Sequence, residues 1–396
     1  MRQLLCAREG RPLSDSQRDN GSGPNAGRAR SAGRVALVHD YLLVMRGAER
    51  TFSSISSLWP DAPIYTLLFD QAGADGYFRG RDIRPSSLRL LSPHQANFRR
   101  LLPFYPRAIE SLDLSGHELV ISSSSAFAHG IRADPGSTHI CYCHTPFRYA
   151  WHDYAHSLGE VAWYLRPALA ATLRRIRSWD VDASRRVTRY IANSELTRER
   201  IWEFWGREAT VIHPPVDVDR FHTAEPEDYF LVVAELIGHK RVEVALEAAL
   251  WAAQPIKVVG SGPDLRRLRN AYGSTAQFLG RVPEKTLLDL YAGARALVVP
   301  NVEEFGIASV EAQAAGRPVI GATVGGTSET VIDGETGVLV TPENVGAFAE
   351  AMTQVDFDSF SPQRIRDHAA QFSVNAFKER FAAEVASLTE EPAATR

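Results

Sequence analysis

The chain has 396 residues, of which 44% are hydrophobic and 23% are charged, as in an ordinary globular protein. Its 44 basic and 47 acidic residues leave a formal charge of −3, which argues against a protein that coats nucleic acid. Three cysteines are too few for a disulfide framework, and no apolar run approaches the ~20 residues of a membrane-spanning helix.

The length is about twice that of a typical domain and predicts two domains. Residues 1–33 are rich in Arg, Ser, Gly and Asn, so we expect a disordered N-terminal extension there. The first residues lack the apolar stretch of a secretory signal. We therefore expect a cytoplasmic protein, with peripheral contact to the cytoplasmic face of the membrane as an option.

Residues 34–213 predict a first α/β domain, because short apolar runs alternate with stretches of helical character. The alternation is typical of βαβ units with a parallel sheet. The predicted strands are Val35–His39, Ile64–Phe69, Glu118–Ser122, His139–Cys143 and Arg189–Ala192, and the predicted helices are Ala48–Leu58 and Gly159–Arg177.

Pro214 and Pro215 mark a boundary, because the proline pair ends regular strand pairing. A second α/β domain is predicted over residues 214–375. Its predicted strands are Tyr229–Ala234, Ile256–Val259, Ala276–Leu279, Ala296–Val299 and Val319–Gly321, and its predicted helices are Val242–Ala253, Asp264–Asn270, Glu284–Gly293 and Ile307–Gly316. Residues 361–388 are predicted to be helical and Thr389–Arg396 to be a frayed tail. Two such domains would bind a ligand between the carboxyl ends of their strands.

The segment Pro300–Ile320 carries the most informative pattern, a strand, a turn and a helix. Gly306 allows a ligand to approach the backbone, and the free N–H groups near Gly306 and Ile307 can receive a diphosphate. Glu303 precedes the helix and Glu311 lies within it, so both can point at one crevice. The alternative is that Glu303 and Glu304 are solvated turn residues and that Glu311 pairs with an arginine.

This segment resembles the E-x7-E signature of glycosyltransferase family 4, retaining enzymes of the GT-B fold. The resemblance extends over about residues 34–380. It includes a base-binding loop at Phe278–Val282, a loop at Val324–Val331 and a hairpin at Asp333–Gly337. It implies an α/β GT-B architecture, two Rossmann-like domains facing each other across a crevice. It also implies that residues 376–396 form a helix that crosses back to the first domain, followed by the tail.

Within that family, the first half resembles the WbaZ-type O-antigen mannosyltransferases. The matching motifs are Cys141–Trp151, Asp113–Gly116, Trp179–Val181, Ile191–Ser194 and Pro214–Asp217. The resemblance implies transfer of mannose from GDP-mannose to a lipid-linked saccharide in cell-surface polysaccharide synthesis. It also implies that His144 contacts the donor sugar.

A cation beside the departing diphosphate is expected from Lys240-Arg241, because negative charge grows there in the transition state. The family usually supplies an Arg and a Lys about five residues apart, but Glu235 stands near the position of that Arg. Arg241 is a candidate to compensate. The first loop departs as well, because Arg46-Gly47 replaces a Gly-Gly pair; Arg46 either adds a phosphate contact or narrows the site, or is simply a surface residue at a helix N-terminus.

The predicted site therefore has three groups of residues. The catalytic group is His144, Lys240 and Glu303. The donor-binding group is Arg241, Gly260, Gly262, Arg281, Val282, Glu303, Phe305, Gly306, Ile307 and Glu311, and the acceptor or phosphate loop is Arg46 and Gly47. Leu265 stands where the third glycine of a dinucleotide fingerprint would be, which argues against a bound NAD.

No metal or other cofactor is expected. Cys141, Cys143 and His144 can be read as metal ligands, but no second ligand pair appears in the sequence. Two Asp-x-Asp patterns, at Asp180 and Asp217, lack the context of a metal-binding pair and are interpreted as structural.

An arginine-rich segment, with Trp163, Tyr164 and Trp179 nearby, suits either anionic lipid headgroups or a solvated helix face. Its members are Arg174, Arg175, Arg177, Arg185, Arg186 and Arg189. Two rival functions stay open: a non-catalytic nucleotide-sugar binding or assembly protein, and a nucleotide-sugar epimerase of the same architecture. The acceptor, the linkage and the oligomeric state are left open by the sequence.

Overall fold

The computed structural model describes residues 34–74, 76–91 and 98–390. These residues form two parallel sheets, one in each half of the chain. The extension predicted over residues 1–33 and residues 391–396 of the predicted tail lie outside the described residues.

The first half forms a seven-stranded sheet flanked by helices. Its elements are β1 (Val35–Leu42), α1 (Gly47–Ser56), β2 (Ile64–Phe69), β3 (Ile83–Pro85), α2 (Tyr105–Glu110), β4 (Leu119–Ser124), β5 (Thr138–Cys143), α3 (Tyr154–Gly159), α4 (Arg166–Ser184), β6 (Arg189–Ala192), α5 (Glu195–Trp205) and β7 (Ala209–Val211). The strand order is β3-β2-β1-β4-β5-β6-β7, and every neighbouring pair is parallel. Strands β1, β2, β4 and β5 are buried along almost their whole length, as expected for a parallel sheet covered on both faces.

The second half forms a six-stranded parallel sheet. Its elements are β8 (Phe230–Val233), α6 (Val242–Trp251), β9 (Ile256–Val259), α7 (Leu265–Tyr272), β10 (Ala276–Gly280), α8 (Glu284–Gly293), β11 (Ala296–Val299), α9 (Ile307–Ala314), β12 (Val319–Ala322), α10 (Gly326–Thr330), β13 (Gly337–Val340), α11 (Val345–Gln354), α12 (Pro362–Ala369) and α13 (Val374–Glu390). The strand order is β10-β9-β8-β11-β12-β13.

Each sheet reverses its strand order beside one central strand. That strand is β1, between β2 and β4, in the first sheet and β8, between β9 and β11, in the second. Such a switch point opens a crevice at the carboxyl ends of the strands, where open α/β sheets bind their ligands. Residues that follow β1, β4, β8 and β11 are therefore the ones to examine for a site.

The last helix, α13, packs against the first half of the chain. Phe377 and Phe381 are buried in the same cluster as Phe52 and Ile64, and the ring of Phe377 lies 5.7 Å from that of Tyr142. The apolar face of α13 thus completes the core beside α1, although the helix follows the second sheet in sequence.

Several predicted elements are wrong in their bounds. The helix predicted over Gly159–Arg177 begins only at Arg166, as α4, where Pro167 suits a first turn, and Gly159 is the last residue of α3. Residues 361–388 are two helices, α12 and α13, and α13 extends through Thr389 and Glu390 of the predicted tail. No hairpin forms at Asp333–Gly337, because the chain turns there into β13, which pairs in parallel with β12.

Candidate active site between the two sheets

Asp40 organises the crevice on the side of the first half. This residue lies in β1 and is 2% exposed. Its carboxylate accepts hydrogen bonds from the backbone N–H groups of residues 125–128, at 2.6 to 3.0 Å, and so fixes the loop after β4. Four donors compensate a buried carboxylate without a cation. Sequence analysis missed this residue, although an Asp inside an apolar strand was a sign of it.

His144 directly follows β5 and is 8% exposed. Its Nε2 lies 2.9 Å from Ser123 Oγ, and its backbone N–H donates to the carbonyl of Ser124. Burial, together with repulsion from His39, lowers the pKa of His144 to about 3. The imidazole is therefore neutral at neutral pH and can orient a hydroxyl group without carrying charge.

His39 is a second site residue that sequence analysis missed. It lies in β1, stacks on the ring of Phe52 at 4.7 Å, and places Nε2 3.9 Å from Glu49 Oε1. Its Nδ1 is buried and has no hydrogen-bond partner among the described residues. A buried polar atom of this kind is usually satisfied by a ligand or an ordered water.

The loop at Arg46-Gly47 brings the two halves together. The backbone N–H of Arg46 donates to Glu49 Oε2 at 2.9 Å and so caps the start of α1. Gly47 lies against α9, because a Cβ at this position would stand 2.8 Å from Ile307 Cδ1. The N-termini of α1 and α9 therefore approach each other across the crevice.

The N-terminus of α9 is a source of free N–H groups in this region, since the first turn of a helix has no internal acceptor. Gly306 precedes α9 with a φ of 88°, a left-handed conformation that favours glycine. The ring of Phe305 is buried against His213 and Phe372, with ring centroids at 5.4 and 5.7 Å. Phe305 as a whole is 3% exposed, so its ring supports the loop before α9 rather than facing the crevice.

Lys240 and Glu303 form the central ion pair of the site. Lys240 Nζ lies 2.8 and 2.7 Å from the two carboxylate oxygens of Glu303, and both side chains are mostly buried. Arg241 turns elsewhere: its φ is 48°, and its guanidinium pairs with Glu343 at 2.5 Å and with Glu243 at 3.6 Å. The expectation that Arg241 replaces the missing family arginine is therefore not supported by its contacts.

Glu311 lies on α9 and is partly buried. It accepts a hydrogen bond from the hydroxyl of Tyr291 at 2.7 Å, so its hydrogen-bond partner is a tyrosine rather than the arginine of the alternative reading. Burial raises the pKa of Glu311, and the Tyr291 bond and the charges of Arg50 and Arg220 offset only part of that rise.

The glycines at 260 and 262 serve loop packing. A Cβ on Gly260 would stand 1.8 Å from the carbonyl oxygen of Ala234, and one on Gly262 would stand 2.3 Å from that of Leu236. The loop after β9 thus lies directly on the loop after β8. Beside it, Arg281 Nε donates to Ser261 Oγ at 2.8 Å, and Val282 is partly buried.

Glu304 joins the two halves through a cluster of positive charges that sequence analysis missed. Its Oε1 lies 2.9 Å from Arg148 Nη2, 3.3 Å from Arg200 Nη1 and 3.8 Å from His152 Nε2. Burial by itself would raise the pKa of Glu304, but attraction to Arg148, Lys240 and Arg200 outweighs it and lowers the pKa to about 2. Glu304 is thus a fully ionised contact between the halves, not a solvated turn residue.

A cavity of about 540 Å³ opens beside this cluster in the first half. Trp151 and Phe204 stack within it at a centroid distance of 4.6 Å. Both aromatic and charged groups line it, namely Trp151, His152, Arg177, Leu196, Glu199, Arg200, Glu203 and Phe204. A mixed lining of this kind offers apolar faces and hydrogen-bonding groups to the same ligand.

The remaining motifs have structural partners. Cys141 and Cys143 are fully buried, and burial raises the pKa of both thiols. Asp180 is also buried and accepts hydrogen bonds from the side chains of His129, Trp151 and Trp205. Across the described ranges, no group of three or more His, Cys, Asp or Glu residues is placed to hold a metal ion.

The arginine-rich segment divides into paired and exposed members. Arg177 bonds the carbonyl of Ala150, Arg186 pairs with Glu110, and Arg189 lies 3.8 Å from Glu384. Arg174 and Arg175 are exposed on α4, and Trp163 and Tyr164, just before this helix, are 77% and 65% exposed. No helix among the described residues has the length and apolar character needed to cross a membrane.

Two family models match consecutive parts of the chain, "Glycosyltransferase Family 4" over residues 45–220 and "Glycosyl transferases group 1" over residues 217–372. A D-inositol 3-phosphate glycosyltransferase of Mycobacterium leprae is 36% identical over 193 residues, 41% of this chain and 45% of the relative. A GDP-mannose-dependent monoacylated alpha-(1-6)-phosphatidylinositol monomannoside mannosyltransferase of Corynebacterium glutamicum is 32% identical over 229 residues, 50% of this chain and 58% of the relative.

The chain thus matches about half the length of these curated relatives. Among solved structures, HepE of Anabaena in complex with UDP aligns over 89% of this chain and 100% of its own, with a TM-score of 0.65 and 16% identity. That likeness concerns the fold, and the two family models together cover nearly all of both sheets. The chain therefore belongs to the family 4 glycosyltransferases and has their two-sheet GT-B fold.

Proposed function

We propose that this chain transfers a hexose from a nucleotide sugar to a saccharide acceptor. The observation that carries the proposal is the Lys240–Glu303 pair beside the N-terminus of α9, with the loop at Gly47 facing it from the other half. A cation and free N–H groups at one point are suited to bind a departing diphosphate. The specific donor proposed is GDP-mannose, in line with the name of the Corynebacterium glutamicum relative.

The reaction proposed retains the configuration of the anomeric carbon. The acceptor hydroxyl forms its bond to that carbon on the face from which the diphosphate leaves, and the bond to the phosphate oxygen breaks. The proton of the hydroxyl passes to a phosphate oxygen. Lys240 and the N–H groups at Gly306 and Ile307 stabilise the charge on the leaving group, and no metal is required in this scheme.

Three side chains orient the donor in this proposal. Neutral His144 and the carboxylate of Glu303 bind hydroxyl groups of the sugar, and Glu311 binds the ribose. The bond from Tyr291 holds Glu311 in one orientation. Fixed acceptors of this kind contribute to rate by positioning the reacting atoms.

The acceptor proposed is a lipid-linked saccharide at the cytoplasmic face of the membrane. The cavity beside Glu304 provides aromatic and charged groups for a sugar, and it lies in the first half. Trp163 and Tyr164 are exposed just before α4, and Arg174 and Arg175 are exposed on α4 itself. Aromatic and basic side chains of this kind suit an interface with anionic lipid headgroups.

The test is a calorimetric titration with GDP-mannose and, separately, UDP-glucose, without added metal. Selective binding of GDP-mannose supports the donor proposed, and preference for UDP-glucose would retain transfer but replace mannose. Glu311→Gln is expected to weaken donor binding about tenfold, the size of one charge-assisted hydrogen bond. Glu335→Gln, which alters an exposed ion pair with Arg364, is the matched control.

Two outcomes would favour the rival functions. Donor binding without transfer to any lipid-linked saccharide would indicate a binding or assembly protein. Conversion of the donor sugar in the absence of an acceptor would indicate an epimerase. Failure to bind either nucleotide sugar would refute the proposal.

A further inference from the structure

Arg46 and Glu235 are 189 positions apart in sequence and form an ion pair across the crevice. Arg46 Nη2 lies 3.2 Å from Glu235 Oε1, and the two side chains are 54% and 40% exposed. Each residue departs from the pattern that the family resemblance implies, and the departures are opposite in charge. A cation appears in the first half where a glycine is expected, and a carboxylate appears in the second half where an arginine is expected.

The contacts around the pair show that the second half has little unpaired positive charge near Glu235. Lys240 is matched by Glu303, and Arg241 is held by Glu343. Glu235 thus adds one negative charge to a region that has to receive a diphosphate. The negative charges of Glu235 and of the diphosphate repel each other, so a donor would bind poorly here unless another cation entered the site.

Arg46 is the cation in position to enter. It caps α1 directly before Gly47, and Gly47 stands against Ile307 at the N-terminus of α9. The guanidinium therefore extends from the loop that borders the free N–H groups of α9. The ion pair between this guanidinium and Glu235 is weak, because an exposed ion pair contributes little to stability. A guanidinium bound to phosphate instead gains two charge-assisted hydrogen bonds.

We infer that Arg46 binds the diphosphate of the donor from the first half and replaces an arginine that the second half lacks, while Glu235 positions Arg46 before the donor arrives. This inference rests on the proposed function. Arg46 leaves Glu235 for the phosphate oxygens when the donor binds. Recognition of the diphosphate thus uses groups from both halves, Arg46 from the first and the N–H groups of α9 from the second.

The experiment compares binding of GDP with binding of GMP, and of UDP with UMP, by calorimetry. The variants are Arg46→Gln, Glu235→Gln, the double variant with both changes, and the exchange Arg46→Glu with Glu235→Arg. Arg364→Gln is the matched control, because Arg364 forms a comparably exposed pair with Glu335.

We expect Arg46→Gln to weaken diphosphate binding about tenfold and monophosphate binding less than about twofold. The double variant should recover part of that loss, because it also removes the negative charge of Glu235, but it should still bind the diphosphate more weakly than the wild type. Glu235→Gln should bind the diphosphate at least as tightly as the wild type. The exchange should recover most of the affinity, because it returns a cation to the second half. Arg364→Gln should change nothing.

Two results would overturn the inference while leaving the proposed function intact. In one, the double variant binds the diphosphate as tightly as the wild type, so that the pair only joins the halves. In the other, Arg46→Gln weakens monophosphate and diphosphate equally. A wild-type protein that binds neither GDP nor UDP would refute the proposed function itself, and the inference with it.

Discussion

Replacing Glu304 by glutamine removes the negative charge on which Arg148, Arg200 and His152 converge. The variant keeps the size of the side chain and imitates the protonated carboxyl group. Any loss of stability therefore measures the attraction between this charge and the cations around it. The contact joins the two halves, so the effect reports on the cohesion of the whole chain.

The magnitude follows from the pKa of Glu304, which falls from an ordinary 4.5 to about 2 in the folded protein. A shift of this size corresponds to about 3 kcal/mol of stability when Glu304 is ionised in both the folded and the unfolded states. Because the folded pKa is the lower one, this stability is present above about pH 4.5 and is lost as the pH falls toward 2. At pH 3 only about 1 kcal/mol should remain.

The assay is urea unfolding followed by tryptophan fluorescence, for the wild type and Glu304→Gln, from pH 7 down to pH 3. We expect Glu304→Gln to be about 3 kcal/mol less stable at pH 7 and the difference to shrink toward 1 kcal/mol at pH 3. Glu335→Gln should change stability by less than about 0.5 kcal/mol at either pH, since its pair with Arg364 is exposed. A loss that is equal at both pH values, or absent at pH 7, would refute the reasoning.

Three further predictions concern Asp40, Gly326 and His144. Asp40→Asn places an N–H₂ group against backbone donors and should lower the free energy of unfolding by about 2–4 kcal/mol, measured in urea. Gly326→Ala would put a Cβ 2.1 Å from the Cα of Phe305 and should cost more than about 2 kcal/mol, whereas Gly159→Ala, with nothing within 4 Å, should cost less than about 1 kcal/mol. Because burial lowers the pKa of His144 to about 3, His144→Gln should reduce turnover without changing the shape of the pH–rate profile between pH 5 and 8; a shifted profile would count against a neutral role.

Most strands inside the sheets were predictable because a buried strand is a short run of apolar residues in the sequence. Ile64–Phe69, Arg189–Ala192, Ile256–Val259 and Ala296–Val299 agree with the predicted bounds, since each is a short apolar run in a sheet covered on both faces. The short edge strands β3, β7 and β13 escaped prediction. They have three or four residues and are mostly only partly buried, so they are too short to stand out in the sequence.

The predicted bounds of a helix were wrong where the start of the helix was not recognised in the sequence. A single helix over Gly159–Arg177 was predicted from helical character, but the helix of the structure begins only at Arg166, before Pro167. Local backbone conformation was easier to predict than contacts between side chains. The residues around Gly306 were identified because a glycine before a helix has a local conformational meaning, and its φ of 88° agrees with that meaning.

Local order in the chain was enough to indicate two α/β halves and the turn at Gly306, because periodicity and turn chemistry act over a few positions. The residues Lys240, Glu303 and Glu311 were singled out through the family resemblance. The ion pairs of the site could be identified only from the folded structure. Lys240 meets Glu303 across 63 positions, Arg148 meets Glu304 across 156, and Arg46 meets Glu235 across 189. Such contacts depend on how two sheets face each other, and that arrangement follows from the packing of the whole core, which no short segment encodes.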